Sequence, residues 1–526
     1  MRMTNKKAQG KIQSSVSVKK LNWNSLFLAA FSGMLLFLSF PKYGSGLIAW
    51  IALIPLFWAT KDAISFKQGL LLGFIAGMIC HIGLIYWITY VVVNYGYLPV
   101  YLGIILMLLL ACYLSIYTAL FAVGIVFFRR KFALYFIAPV LWLCLEYCKS
   151  NLFTGFPWEN LGYSQFQNIY LIQIADITGV FGLSFLIVLV NAALFEVFNK
   201  KSKKEFFALA VVIFISAGIF IYGLNRAQQV DRVLQNAAEM EVSLVQGNLD
   251  QSIKWNEDYQ KKTIDIYEQL SLQKAAAGGG LIIWPETAVP FNYQDVNNFQ
   301  KRVRDISWKT KSWFIFGSTS YEKSKLGTDY YNSAYLLSPS GEIKGKYDKV
   351  HLVPYGEYVP LRNIFPFIRK LTAGMGDFST GTGYYPLNMD NKKVGVLICY
   401  EGILPFAARK YKKRGAELLV NITNDAWFGA TSAPFQHFSM SVLRAVETRL
   451  YLVRAANTGI SAIVDPKGKV VAATNIFEKT ELQGKIKFSN IQTIYAEYGD
   501  MLVFACYLIF IFYLVLAIKG RFKKCR

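Results

Sequence analysis

Three side chains stand where apolar, strand-like runs break off, and their types fit nucleophilic acyl chemistry. Cys399 follows VGVLI (394–398) and precedes Tyr400, Glu401 and Gly402, so its thiol falls at the C-terminal edge of a strand. Glu286 closes the run LIIWPE (281–286), where a carboxylate after apolar residues needs a reason. Lys349 lies with His351 and Glu357 inside KYDKVHLVPYGEYVP (346–360). A thiol attacks only as its thiolate, so it requires a base or a cation beside it. Glu286 can take the thiol proton as general base, provided burial lifts its pKa toward neutral pH. Lys349 can stabilise both the thiolate and the oxyanion that forms when a carbonyl is attacked. The backbone N–H of Tyr400, just after the nucleophile, is the natural second oxyanion donor. The expected product is an acyl-thioester on Cys399 that a second nucleophile resolves.

The surrounding elements must hold these groups at strand ends. Between 225 and 499 the runs at 240–248, 281–286, 312–320, 393–401 and 417–429 are β-rich and alternate with polar, helix-compatible stretches. That alternation predicts an α/β or layered α–β domain, long enough for a full core. Of the seven cysteines, at 80, 112, 144, 148, 399, 506 and 525, only Cys399 belongs to this region. Alone it has no disulfide partner there, so it is either buried and inert or used chemically. Its polar, Gly-containing neighbourhood favours use. The GGG at 278–280 precedes a strand rather than following one, which is wrong for a phosphate loop.

The rest of the chain is a different material. Of 526 residues 54% are hydrophobic and only 17% are charged, which excludes an ordinary soluble enzyme and a disordered chain alike. Apolar runs occupy about 21–40, 44–60, 68–93, 97–128, 131–148, 177–198, 205–224 and 500–518, most near the 20 residues or so of a spanning helix. The second is the weakest, being interrupted by Pro55. Basic residues gather at 2–20, 61–67, 129–131, 200–204 and 519–526, twenty in all, whereas the intervening short loops carry only Lys42 and Lys149. This is the positive-inside pattern of eight spans with both termini cytoplasmic. It accounts for most of the net charge of +23 without nucleic acid. The expected division is a basic tail (1–20), a seven-helix membrane domain (21–224), an extracytoplasmic catalytic domain (225–499), an eighth helix (500–518) and a second basic tail (519–526).

In order and approximate spacing, Glu286, Lys349 and Cys399 resemble the Glu-Lys-Cys triad of the nitrilase superfamily. WPETAVP, KVHLVPYGEYVP, ICYE, NDAWFG (424–429), RAVETR (444–449), RAANTG (454–459), QGNLDQSIKW (246–255), TGFPW (154–158) and GYSQ (162–165) are similar to one membrane-bound branch, the apolipoprotein N-acyltransferases. The resemblance covers essentially the whole chain. It implies an αββα sandwich joined to eight transmembrane helices in the bacterial cytoplasmic (inner) membrane, and it requires no cofactor or metal. The implied reaction takes an acyl chain from a phospholipid, commonly phosphatidylethanolamine, onto Cys399. The α-amine of a diacylglyceryl-modified N-terminal cysteine on an apolipoprotein then discharges it.

Glu357 and Glu401 read as carboxylates that orient Lys349 and the Cys399 loop; the resemblance implies that these positions matter for activity, and a supporting role is favoured over direct proton transfer. Tyr400 either lines the pocket or covers the nucleophile. Trp255 matches a tryptophan tied to substrate engagement, although a buried structural role suits it nearly as well. His351 reads as a core histidine, since the triad needs no imidazole. Glu146 and His81 in the apolar runs are either functional or, for Glu146, solvated at the membrane surface. Phe156, Trp158, Tyr163 and Phe166 suit an interfacial aromatic belt. The Gly-containing stretch 361–390 suits a mobile lid. Two other functions compete: a membrane-anchored nitrilase-type amidase in which water resolves the acyl-enzyme, and a multispan transporter with an external binding module. The sparse ionisable residues of the spans and the lack of an inverted repeat weigh against the second.

Overall fold

The apolar runs become helices in chain order. The structure, a computed structural model, describes residues 22–250, 257–273, 279–325, 327–358 and 377–522. Among these, Phe66–Ile85, Val100–Phe128, Val180–Lys200, Lys203–Gln235 and Met501–Lys519 are long and apolar enough to cross a membrane. Trp23–Phe37 is equally apolar but shorter. The run at 44–60 is not one helix: a 3-10 turn over Gly46–Trp50 is followed by Ile54–Lys61, with Pro55 in the first turn, where its missing N–H costs nothing. The run at 68–93 likewise breaks at Tyr86 into Phe66–Ile85 and Trp87–Asn94. Small residues bring helices close. A methyl group on Gly73 would lie 2.5 Å from the Thr118 carbonyl oxygen, so Phe66–Ile85 can pack on Val100–Phe128 only through glycine there. Lys203–Gln235 continues past the apolar stretch into polar sequence, so the expected boundary at 225 falls inside a helix.

The region after Gln235 folds as two facing sheets with helices outside them. The first sheet comprises β1 (Glu239–Gln246), β2 (Leu281–Ile283), β3 (Val289–Asn292), β4 (Trp313–Ser324), β5 (Gly327–Leu337) and β6 (Ile343–Asp348). The second comprises β7 (Leu387–Met389), β8 (Lys392–Ile398), β9 (Leu418–Thr423), β10 (Tyr451–Ala456), β11 (Ala462–Val464) and β12 (Val470–Ala473). The chain then returns to the first sheet as β13 (Thr480–Lys487), antiparallel to β1. The strand orders are β13-β1-β2-β4-β5-β6, with β3 beside β4, and β12-β11-β10-β9-β8-β7. β1, β2 and β4 run parallel, as do β8, β9 and β10, so their C-terminal ends collect chemistry at one edge. β2, β8 and β9 are buried throughout or nearly so, which is why they read as continuous apolar runs.

Buried arginines fasten the helix Ala433–Thr448 and the residue after it to the half of the chain that carries the apolar helices. Arg444, on the helix Ala433–Thr448, donates to the Ile403 carbonyl at 2.8 Å, to Glu447 at 2.9 Å and to the Tyr163 hydroxyl at 3.1 Å. Arg449 pairs with Asp176 at 2.7 Å, and Asp176 also accepts from Arg226. Both arginines are fully buried. A buried arginine is costly unless its donors are largely met, and partners from both halves of the chain take the Nη groups of Arg444 and all three nitrogens of Arg449.

Candidate active site

Cys399 is the first residue beyond β8 and has φ 53°, in the left-handed region that non-glycine residues adopt only when the surroundings enforce it. The sharp turn lifts the side chain off the end of the strand, so that it is partly open while Ile398 before it is fully buried. Glu286 lies three residues beyond β2 and is buried. Its Oε1 accepts from Asn332 Nδ2 at 2.7 Å and its Oε2 accepts from the Asn424 backbone N–H at 2.9 Å. Gly317 on β4 permits this placement. A methyl group there would lie 2.4 Å from the Thr287 nitrogen and 2.7 Å from Glu286 Cα.

Lys349 follows β6 and is almost wholly buried. Its ammonium lies 2.9 Å from Glu357 Oε1 and 3.6 Å from Glu286 Oε1. Burial pulls its pKa down, but Glu357 and then Glu286 outweigh that, and the net shift is upward. Lys349 is therefore a fixed cation. The Cys399 thiol is pushed up by burial and then by Glu286, more than Lys349 pulls it down. It rests protonated, so attack requires a base to take the proton as it proceeds.

Two carboxylates tie these pieces together. Glu357 accepts from Lys349, from Asn332 Nδ2 at 2.9 Å and from the Val353 N–H at 2.9 Å. Glu401 is completely buried and accepts from the backbone N–H groups of Val350 and His351, each at 2.9 Å, and of Ile398 at 2.8 Å. The Tyr347 hydroxyl adds a bond at 2.9 Å. Burial lifts Glu401 to about 7, against the opposing pull of the His351 and Ile398 donors. One side chain thus joins the Lys349 segment to the cysteine elbow.

The structure brings Glu286, Lys349, Cys399, Glu357 and Glu401 into one cluster. Tyr400 lies beside it, its ring stacked on His351 at 5.9 Å. The His351 contact to Glu401 is through the backbone, and burial followed by Lys349 pushes its imidazole pKa down. Trp255 lies outside the described residues. So does 361–376 of the expected lid, while 377–390 is tied down by bonds such as Phe378 N–H to the Glu357 carbonyl and Gly381 N–H to the Lys349 carbonyl. Two expectations need correcting. Trp158 and Tyr163 are buried against the catalytic-side helix instead of forming a lipid-facing belt: Trp158 donates to Gln436 at 2.8 Å, and Tyr163 accepts from Arg444. Glu146 is not solvated at an interface but buried, accepting from the Leu161 N–H at 2.7 Å and from Trp142 at 3.1 Å. With His81 and Lys149 it lines a cavity of about 50 Å³.

Asn332 was not foreseen. It lies mid-strand in DYYNSAYLL, which nothing in the sequence marks as special, yet its one amide bridges Glu286 and Glu357. NDAWFG was visible as a motif, but its contribution through a backbone N–H to Glu286 was not.

A cysteine on a strand-end turn, with a carboxylate and a lysine from the facing sheet, sits on the α–β fold of the carbon–nitrogen hydrolases. The family model for carbon–nitrogen hydrolases matches residues 215–496, and that for the apolipoprotein N-acyltransferase N-terminal domain matches residues 32–193. The chain is 43% identical to an apolipoprotein N-acyltransferase of Geobacter metallireducens, over 91% of this chain and 92% of that one. It is 31% identical to the Pasteurella multocida protein of the same name, again over 91% and 92%. A solved structure, Saccharomyces cerevisiae Nit3 of branch 10 of the nitrilase superfamily, is similar at a TM-score of 0.37 and 20% identity, covering 47% of this chain and 90% of that one. The chain belongs to the apolipoprotein N-acyltransferase family.

Proposed function

We propose that the chain moves an acyl group from a membrane phospholipid to the α-amine of the N-terminal diacylglyceryl-cysteine of an apolipoprotein, by way of a thioester on Cys399. The observation that carries this is that the Cys399 thiol, a buried carboxylate and a buried lysine come together in a chain whose other half is largely apolar helix. In the first half-reaction Glu286 takes the thiol proton as sulfur bonds to the ester carbonyl carbon. Lys349 and the Tyr400 N–H face the oxyanion. The C–O bond then breaks, and the proton on Glu286 passes to the departing alkoxide of the lysophospholipid. In the second half-reaction the amine attacks the thioester, Glu286 takes an amine proton, and the C–S bond breaks to return the thiol. Replacing a thioester by an amide is downhill, and the two halves make the kinetics ping-pong.

Glu357 and Glu401 support the site by holding Lys349 and the elbow, and Tyr400 and Trp255 contribute to substrate binding. Phosphatidylethanolamine is the proposed donor. Eight spans with both termini cytoplasmic place the catalytic domain on the extracytoplasmic face of the bacterial inner membrane. The distribution of basic residues and the five long apolar helices support that topology. Reconstitution in vesicles with labelled phosphatidylethanolamine and a diacylated lipopeptide tests the function. The expected product is the N-acylated lipopeptide plus lysophospholipid in equal amounts. Free fatty acid with no acylated peptide would instead make the enzyme a hydrolase.

A further inference from the structure

Behind the nucleophile lies a charged network that the chemistry above does not use. The Cys399 carbonyl oxygen is 3.3 Å from His437 Nε2 and 3.3 Å from Asn421 Nδ2. A carbonyl oxygen only accepts, so this contact is a hydrogen bond when the ring carries a proton on Nε2. Around Nδ1 of the same ring stand Asp425 Oδ1 at 2.9 Å and Arg454 Nη2 at 3.1 Å. Arg454 pairs with Asp425 at 2.7 Å and also donates to Asn421. The Thr423 hydroxyl donates to Asp425 at 3.0 Å. Asn421, Asp425, His437 and Arg454 are all at most 1% exposed.

The network is also mechanically closed. A methyl group on Gly459 would lie 2.2 Å from Asp425 Oδ2, so the carboxylate has no room to turn away. Trp158, from the membrane half, lies over the His437 ring at 6.0 Å and 28°, and Phe428 meets it edge-on at 5.9 Å. An ion pair this deeply buried is costly to keep unless its geometry serves something. What it reaches is the carbonyl of Cys399, the residue that bears the thiol and has a left-handed backbone.

We infer that His437 is a positioning residue for the acylation step: its Nε2–H, oriented by Asp425 and Arg454, grips the Cys399 carbonyl and holds the strained elbow that aims the thiol. This rests on the thioester chemistry proposed above. It concerns the rate at which the thioester forms, not the affinity for lipid, because none of the four groups is open to substrate.

The test measures thioester formation on Cys399 with labelled phosphatidylethanolamine in full-length, vesicle-reconstituted protein, as a function of lipid concentration. Glutamine places an amide N–H near the position of Nε2, whereas asparagine reaches only the Nδ1 side. His437→Leu and His437→Asn are expected to slow the maximal rate about 10- to 100-fold, the scale of a small misplacement of a reacting group, with the half-saturating lipid concentration unchanged. His437→Gln is expected to recover most of that loss. Should the leucine variant fail to fold, the Asn and Gln pair carries the comparison. Equal rates for Asn and Gln, a loss expressed in lipid affinity, or a leucine variant as fast as wild type would each overturn the inference. Absence of thioester in the wild type would overturn the transfer chemistry itself, and the inference with it.

Discussion

Asn332→Leu removes the amide that bridges the two carboxylates flanking Lys349. Its Nδ2 donates to Glu286 at 2.7 Å and to Glu357 at 2.9 Å, and the residue is 3% exposed. Hydrogen bonds to ionised acceptors are worth about 1.5–3 kcal/mol each, so the pair contributes about 3–6 kcal/mol. Part of that is offset in the variant, because Asn332 Oδ1 has no partner among the described residues and its burial costs about 1–3 kcal/mol. A net loss of about 0–5 kcal/mol of stability follows, centred near 2–3 kcal/mol and visible as a lower melting midpoint. The effect on chemistry should be larger. Lys349 now stands 3.6 Å from Glu286; with the amide gone, nothing from β5 fixes that carboxylate, and it shifts away from the position that faces the thiol. Rapid-quench measurement of thioester formation on Cys399 should show a loss of about 10- to 100-fold, the scale of a small misplacement of a reacting group. Asn332→Asp, which sets a third carboxylate against the other two, should be slower still. An Asn332→Leu protein that acylates at nearly the wild-type rate with an unchanged melting point would refute the reasoning.

Three further outcomes follow from the same geometry. Gly317→Ala forces a methyl group to within 2.4 Å of the Thr287 nitrogen, so it should displace Glu286 and cut thioester formation at least tenfold, measured in the same assay; wild-type kinetics would contradict this. Because burial first and Glu286 next push the Cys399 thiol up, its alkylation by iodoacetamide should still be rising between pH 7 and 9; a plateau already reached by pH 7 would indicate a preformed thiolate–lysine pair. Glu401 is lifted to about 7 in the folded chain from 4.5, so the folded state holds a proton there that the unfolded chain has lost. Stability should therefore fall as pH rises from about 4.5 to 7, by an amount of order 3 kcal/mol from this group. Denaturation of Glu401→Gln across that window should show a correspondingly flatter pH dependence, and an identical slope in the two proteins would exclude Glu401 as its source.

Much of the candidate site was legible because its residues interrupt local patterns. A carboxylate after LIIWP, a thiol at the end of VGVLI and a lysine among Tyr, Val and His are each anomalous within a few positions, and anomaly within a strand is a local signal. Asn332 was not legible because an Asn in a strand is unremarkable alone. Its role exists only once β5 is laid beside β4 and opposite Glu286, a matter of long-range pairing. His437 was invisible for the same reason, lying on a helix 38 positions from the carbonyl it meets. Hydropathy located the helical segments but not their breaks: Pro55 and Tyr86 divide runs that are apolar throughout. The aromatics at 156–166 misled because Trp and Tyr suit a lipid interface and a protein interface equally well. Only their partners, Gln436 and Arg444, distinguish the two.

The proposed acyl-thioester is covalent, so mass spectrometry of the peptide containing Cys399, after incubation with labelled phosphatidylethanolamine, detects it without relying on product formation. The predicted result is an acyl mass on that peptide that is lost in Cys399→Ala, does not form in Glu286→Gln, and is discharged by a diacylated lipopeptide but not by water. A wild-type protein that acylates the lipopeptide with no acyl adduct ever appearing on Cys399 would contradict the account.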